Sequence, residues 1–200
     1  AEVAPIFMFR ETIAEDGVRR AMKFLDGVED GPWFLWLHLF DPHANYEAPE
    51  PFASAQAEPY DAEIAYSDRQ LGTLFDDLKR RGEWSNTLVA FTADHGESLG
   101  EHGESSHGLF IYDATTRVPW ILAHPQLAGG TVVPTVVSGV DLAPTVLDLL
   151  GVAPVPMDGR SLAAVALGGK EAATGPGAYS EGLASYFDHG GSDLRSLRTM

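Results

Sequence analysis

The stretch Trp33-Phe-Leu-Trp-Leu-His-Leu-Phe40 constrains the fold more than any other part of the chain. It has the length of a strand, and its apolar residues occupy both alternating positions. Such a run predicts a strand buried on both faces, as in a parallel sheet covered by helices. Within it, His38 is expected to be a satisfied core or near-core histidine. The run stops at Asp41-Pro42-His43, because proline brings no N–H to a ladder. Thr87-Leu-Val-Ala-Phe-Thr-Ala93 repeats the arrangement as a second buried strand, closed by Asp94-His95-Gly96. Val118-Pro-Trp-Ile-Leu-Ala123 is a third strand candidate.

Helical patterns separate these runs. From Thr12 to Val28, a capping-box pattern at Thr12-x-x-Glu15 precedes Ile13, Ala21, Met22, Leu25 and Val28, which can share one face. From Asp61 to Arg81, Ile64, Leu71, Leu74, Phe75 and Leu78 line one side, and Lys79-Arg80-Arg81 suits the C-terminal end. Asp141 can cap a helix through Leu150, with Pro144 in its first turn and Gly151 as its stop. Residues 44–59 are expected to form an irregular loop, 94–108 a polar, glycine-rich one, and 151–178 a loop with one short helix near 160–167. The alternation predicts a layered α/β fold with a mostly parallel central sheet. In such sheets ligands sit beyond the carboxyl ends of the strands, so Asp41-Pro42-His43 and Asp94-His95 are candidates for one site.

Composition narrows the function classes. Thirteen Lys+Arg against 29 Asp+Glu leave a net charge of −16, which argues against a general nucleic-acid or anionic-membrane binder. With 44% hydrophobic and 10% aromatic residues the chain can build a core, so a disordered acidic chain is excluded. Two hundred residues fit one domain or part of a larger one. The absence of Cys removes disulfides, zinc fingers and a cysteine nucleophile. The chain shows no signal peptide and no apolar run of transmembrane length.

Asp94-His95-Gly96-Glu97 is the sharpest local signal. A carboxylate and an imidazole on consecutive residues can converge on a metal ion in a turn just past a strand. The other open reading is that Asp94 accepts backbone N–H bonds while His95 is merely exposed. His102 and His107 follow in the same loop with Glu97, Glu101 and Glu104. His102 reads as solvated and the acidic residues as needing no functional reason, whereas His107, before Leu109-Phe-Ile-Tyr112, is placed to be anchored and aimed inward. His43, after the fixed φ of Pro42, can bind an anionic oxygen or donate a proton to a leaving group. His124 and His189 have no supporting context. No Gly-x-Ser-x-Gly elbow, P-loop or Rossmann loop occurs, and Ser105-Ser106-His107 lacks the spacing of a nucleophile–base pair.

Several motifs in one order complete the reading. Asp41-Pro-His-Ala-Asn-Tyr46, Tyr60-Asp-x-Glu-Ile-x-Tyr-x-Asp-x-x-x-Gly72, and Asn86-Thr-Leu-Val-x-Phe-Thr-Ala-Asp-His-Gly-Glu97 resemble the sulfatase family. So do Leu99-Gly-Glu-His-Gly103, His107-Gly-Leu-Phe-Ile-Tyr-Asp113, Arg117-Val-Pro119 and Val140-Asp-Leu-Ala-Pro-Thr-Val-Leu-Asp-Leu-Leu-Gly151. The resemblance implies an alkaline-phosphatase-like α/β sandwich that hydrolyses sulfate esters with a divalent metal. It implies that Asp94 and His95 are metal ligands, the latter where many members have Asn. It also implies that His43 contacts the sulfate near its leaving oxygen, as the catalytic proton donor, and that His107 binds a sulfate oxygen where members have Lys or His. Arg117 is read as structural, and Asn45 stands where the family pattern has proline.

The family's nucleophile is a formylglycine made in a Cys/Ser-x-Pro/Ala-x-Arg motif, and no such motif occurs in these residues. The resemblance therefore implies a partial domain over residues 1–200, lacking an N-terminal nucleophile-bearing part and a C-terminal subdomain, and inactive alone. The implied metal is Ca²⁺, with Mn²⁺ or Zn²⁺ as alternatives because a His ligand is less suited to Ca²⁺. The implied partner is a small sulfate ester or a sulfated glycan; the compartment is left open, a periplasmic or extracellular setting being compatible with the resemblance. Two alternatives stay open: a phosphonate or phosphodiester hydrolase or phosphoethanolamine transferase of the same superfamily, and a noncatalytic sulfatase-like binding module.

Overall fold

The computed structural model describes residues 12–29, 31–153, 155–169 and 177–199, and the chain divides into two compact units, Ala1–Ser85 and Asn86–Met200. Within the first unit, α1 (Ala14–Asp26) and α3 (Pro59–Arg80) pack together, with the short α2 (Phe52–Ala55) against α3. The buried stripe of α1 is Ala14, Val18, Ala21 and Leu25, a 3–4 spacing that puts all four on one face. Ile13, expected on that face, is exposed. Val18, Ala21 and Leu25 meet Leu74 and Leu78 of α3, and Trp33, Leu35, Leu37 and Leu39 pack against this cluster. Gly17 lets the segment lie close, since a Cβ there would stand 3.1 Å from the Leu39 side chain.

The run 33–40 is extended but joins no ladder among the described residues, and it is partly buried on one face only. Its odd residues face the helices, whereas Phe34 and Trp36 are 78% and 79% exposed, and His38 is exposed with them. This corrects both the two-sided strand and the core histidine. The physical reason is that burial needs a partner on each face, and the helix pair supplies one.

The first turn of α1 is also capped differently from the expected capping box. The N-cap residue is Ile13, which makes no side-chain cap bond, and the Ala14 N–H donates to Asp41 Oδ2 at 2.7 Å. A carboxylate brought from 27 residues away makes a charge-assisted bond that a local hydroxyl cannot match. At the other end of the helix pair, Arg81 bonds both Asp77 and Asp26.

In the second unit β1 (Val89–Thr92) pairs antiparallel with β2 (Trp120–Ala123), with Val89 opposite Ala123 and Thr92 opposite Trp120. The loop between them contains α4 (Asp113–Thr116). β1 is mostly exposed, because a two-stranded ladder brings no layer of its own to cover it. Then come α5 (Leu142–Leu149), closed by Gly151 at φ +67, and α6 (Ala163–Ala166) within the expected short-helix region. Pro154 and residues 170–176 of the expected 151–178 loop lie outside the described residues. A second antiparallel pair, β3 (Ala178–Gly182) with β4 (Leu194–Arg198), encloses α7 (Ala184–His189). The ladders among the described residues are thus antiparallel pairs, without the parallel neighbours of a full central sheet.

Candidate functional site

His43 sits in a loop built by the first unit. Its backbone N–H donates to Glu63 Oε2 at 2.9 Å, and the Glu47 N–H donates to Glu63 Oε1 at 2.7 Å. One buried carboxylate on α3 thus closes the five residues from 43 to 47, one oxygen to each end. Hydrogen bonds to a charged acceptor contribute roughly 1.5–3 kcal/mol each. Burial pushes the Glu63 pKa up, and the two amides and His43 oppose that shift. Tyr46 N–H to His43 O at 3.0 Å tightens the turn, and Ser67, one helical turn after Glu63, reaches Asp41 O at 3.4 Å. The imidazole is set by its own neighbour: Nδ1 lies 2.7 Å from Ala44 O. A carbonyl oxygen only accepts, so Nδ1 carries a proton and Nε2 is the nitrogen that gains and loses one. The Phe40 ring lies 4.3 Å from the imidazole centroid.

The second cluster lies in the second unit, just past β1. The Asp94 carboxylate accepts the His95 N–H through Oδ1 at 2.9 Å, and His95 Nδ1 donates to Gly96 O at 2.8 Å. His95 therefore shares the tautomer of His43, and its Nε2 lies 3.8 Å from Asp94 Oδ2. Both side chains are exposed. Gly96 is required where it stands: its N–H donates to Thr115 O at 2.8 Å, and a Cβ would fall 2.1 Å from Ala114 O. That close approach turns the Glu97 carboxylate inward, where it is 6% exposed and lies 3.1 Å and 3.2 Å from His107 Nδ1 through its two oxygens. The His95 and His107 rings stack at 4.1 Å between centroids.

The bend that carries His107 is held by buried polar groups. Glu104 Oε1 accepts the Leu109 and Phe110 N–H groups at 2.9 Å and 3.1 Å. Ser98 Oγ donates to Glu104 O at 2.8 Å, and Thr115 Oγ1 donates to Phe110 O at 3.0 Å. The acidic residues of this loop, expected to need no functional reason, thus include two buried holders of a candidate site histidine. His102 stacks on Tyr112 at 3.8 Å, and Arg117 is exposed.

Asp94 and His95 can supply an ion with one oxygen and one nitrogen donor. Among the described residues no group of three or more His, Cys, Asp or Glu is placed to hold a metal. The pair therefore fits a divalent ion as part of a donor set, since zinc takes four ligands and calcium six to eight. Glu63, Glu97 and Glu104 are holders that residue type alone does not reveal. The signal in the sequence for Glu63 and Glu97 is their place in the Tyr60-Asp-x-Glu63 and Asp94-His-Gly-Glu97 motifs.

A family model described as Sulfatase matches residues 9–152. Choline-sulfatase of Rhizobium meliloti (strain 1021) is 33% identical over 114 residues, covering 57% of this chain and 22% of that protein. Iduronate 2-sulfatase of Mus musculus is 38% identical over 94 residues, covering 47% of this chain and 16% of that protein. The chain thus matches about a fifth of the length of these curated relatives. The phosphonate monoester hydrolase of Agrobacterium radiobacter matches in structure with a TM-score of 0.79 and 22% identity, over 98% of this chain and 52% of that one. At that identity the likeness establishes the fold, which is of the layered alkaline-phosphatase-like α/β class.

Proposed function

The chain belongs to the sulfatase family, and from that premise we propose that it is part of a metal-dependent hydrolase of sulfate esters. The observation that carries the reading is the shared setting of three histidines. His43, His95 and His107 each turn Nδ1 to an acceptor, an arrangement that supports Nε2 as the working nitrogen of all three: a proton donor in His43, a metal ligand in His95 and, when also protonated there, a donor to an anion in His107. Asp94 and His95 would hold the ion, Ca²⁺ by family habit, with Mn²⁺ or Zn²⁺ suited to the nitrogen donor. When bound, the ion and a formylglycine from outside these residues supply positive charge at the sulfate oxygens and the attacking oxygen.

The remaining roles belong to this chain. His107, protonated on both ring nitrogens, donates from Nε2 to a sulfate oxygen, while its Nδ1–H is held by the Glu97 carboxylate. His43 delivers a proton from Nε2 to the departing alcohol or phenol. The substrate class is a small sulfate ester or a sulfated glycan. A partial domain is supported by the missing nucleophile motif and by the apolar faces left open at Phe34, Trp36 and β1.

The test is a substrate panel on the complete protein that contains these residues, with aryl and alkyl sulfates beside phosphate monoesters, phosphodiesters and phosphonate monoesters. Sulfate ester turnover that is lost on chelation is expected. Preference for a phosphonate or phosphodiester would move the protein to the neighbouring activity of the same fold. No turnover of any ester by a complete, metal-loaded protein would leave a binding module. The 200-residue chain alone is expected to show no turnover.

A further inference from the structure

Glu63 is one of the few charged side chains buried in the first unit, and the proton-transfer chemistry described above does not use it. It is 6% exposed, and both carboxylate oxygens are engaged by backbone N–H groups of the loop that carries His43. The loop holds the ring in turn: Ala44, whose carbonyl takes the Nδ1 proton of His43, lies inside the span that Glu63 closes. A chain of single contacts therefore runs from α3 to the imidazole. It passes from the Glu63 oxygens to the amides of 43 and 47, from those amides to the loop, and from the Ala44 carbonyl to Nδ1. Ser67, four residues along the same helix face, reaches the backbone at Asp41 and registers the loop a second time.

We propose that Glu63 is the positioning residue for His43, its carboxylate fixing the 43–47 loop so that Nε2 faces the leaving oxygen. The part that concerns catalysis rests on the sulfatase reading; the part that concerns the loop does not. A displaced general acid loses most where it is most needed. An alkyl sulfate, whose alcohol is a poor leaving group, depends on proton delivery, whereas a nitrophenyl sulfate departs without it. Misplacing a reacting group by about 1 Å costs on the order of 10²-fold.

The experiment has two arms. In the complete protein that contains these residues, amide and imidazole NMR signals are compared between the unsubstituted protein and Glu63→Gln. The variant is expected to shift the amides of His43 and Glu47, speed their hydrogen exchange, and broaden or move the His43 imidazole signals, with the Val18 and Leu74 amides unchanged. Unchanged His43 signals in a folded variant overturn the proposal. If Glu63→Gln does not fold, Glu63→Asp keeps the buried charge and shortens its reach; the same shifts at 43 and 47 are expected, and their absence is equally fatal.

In the complete, metal-loaded enzyme, Glu63→Gln is expected to lower kcat on an alkyl sulfate by about 10²-fold and on nitrophenyl sulfate by less than about 3-fold, with KM little changed. Added to His43→Ala, it is expected to cost nothing further on the alkyl sulfate. Equal losses on both substrates, or losses that multiply with those of His43→Ala, overturn the catalytic part and leave a general structural role. If the unsubstituted enzyme cleaves no sulfate ester, the sulfatase reading fails, and the NMR arm alone decides whether Glu63 positions the loop.

Discussion

The loops of His43 and His107 can be set side by side. The amides at 43 and 47 are held by a carboxylate 20 and 16 residues away on α3. The amides at 109 and 110 are held by Glu104, five and six residues away in the same loop, and the His107 ring by Glu97, ten residues away. The first loop borrows its shape from a helix and hence from the α1–α3 core. The second carries its fasteners within its own stretch of chain. A histidine can therefore be aimed with equal definition by long-range or by local bonds, but the two should fail under different insults.

The largest expected effects separate what the two imidazoles do. In the complete enzyme, His43→Ala should lower kcat on an alkyl sulfate by about 10²–10⁴-fold, with a much smaller loss on nitrophenyl sulfate. His107→Ala should cost about 10²–10³-fold on both, because an oxygen contact serves every leaving group alike. Steady-state kinetics on the two esters checks this, and equal leaving-group dependence in the two variants would erase the distinction.

The next effect tests the borrowed shape. Leu74→Ala, in the buried cluster with Val18 and Leu25, should destabilise the first unit by about 2–5 kcal/mol. Hydrogen exchange at 43 and 47 should then accelerate while 109 and 110 stay protected. Gly96→Ala is the converse insult, forcing a Cβ against the Ala114 carbonyl. It should cost about 1–3 kcal/mol and loosen 109 and 110, with 43 and 47 untouched. Cross-talk in either direction would break the contrast.

The smallest effect concerns pH. Burial raises the Glu63 pKa above the ordinary carboxylate value. A raised folded-state pKa means that the folded protein binds more protons than the unfolded chain within that window. The contribution to stability is full below the ordinary carboxylate pKa and is lost as pH rises through the raised folded value. The difference in unfolding midpoint between the unsubstituted protein and Glu63→Gln should therefore move against the unsubstituted protein as pH rises from about 4. A midpoint difference independent of pH would contradict it.

Much of this was legible from residue order. Helix periodicity places α1, α3 and α5 near their observed bounds, and Gly151 stops α5 at the positive φ expected of it. The short strands β1 and β2 lie inside the expected apolar runs. What periodicity cannot carry is which face finds a partner: Leu37 and Trp36 are equally apolar, yet only one meets the helices. The pair β3 and β4 is not legible in the sequence, because Ala-Tyr-Ser-Glu-Gly and Leu-Arg-Ser-Leu-Arg have no apolar run. Among site residues, the histidines stand out by type and motif, whereas Glu63 and Glu97 lie in the same motifs without a residue type that shows their role, and Glu104 lies outside them. A glutamate bonded to distant amides looks, in sequence, like any solvated glutamate.

His43, His95 and His107 are each expected to work through Nε2, because Nδ1–H is committed to Ala44 O, Gly96 O and the Glu97 carboxylate. Long-range ¹H–¹⁵N NMR of the imidazoles, at a pH where they are neutral, reads the tautomer of each ring directly. The Nδ1–H form at all three positions is the predicted result. An Nε2–H tautomer at His43 or His95 would contradict the account, because the proton-carrying nitrogen of the one and the ligating nitrogen of the other would then be misassigned.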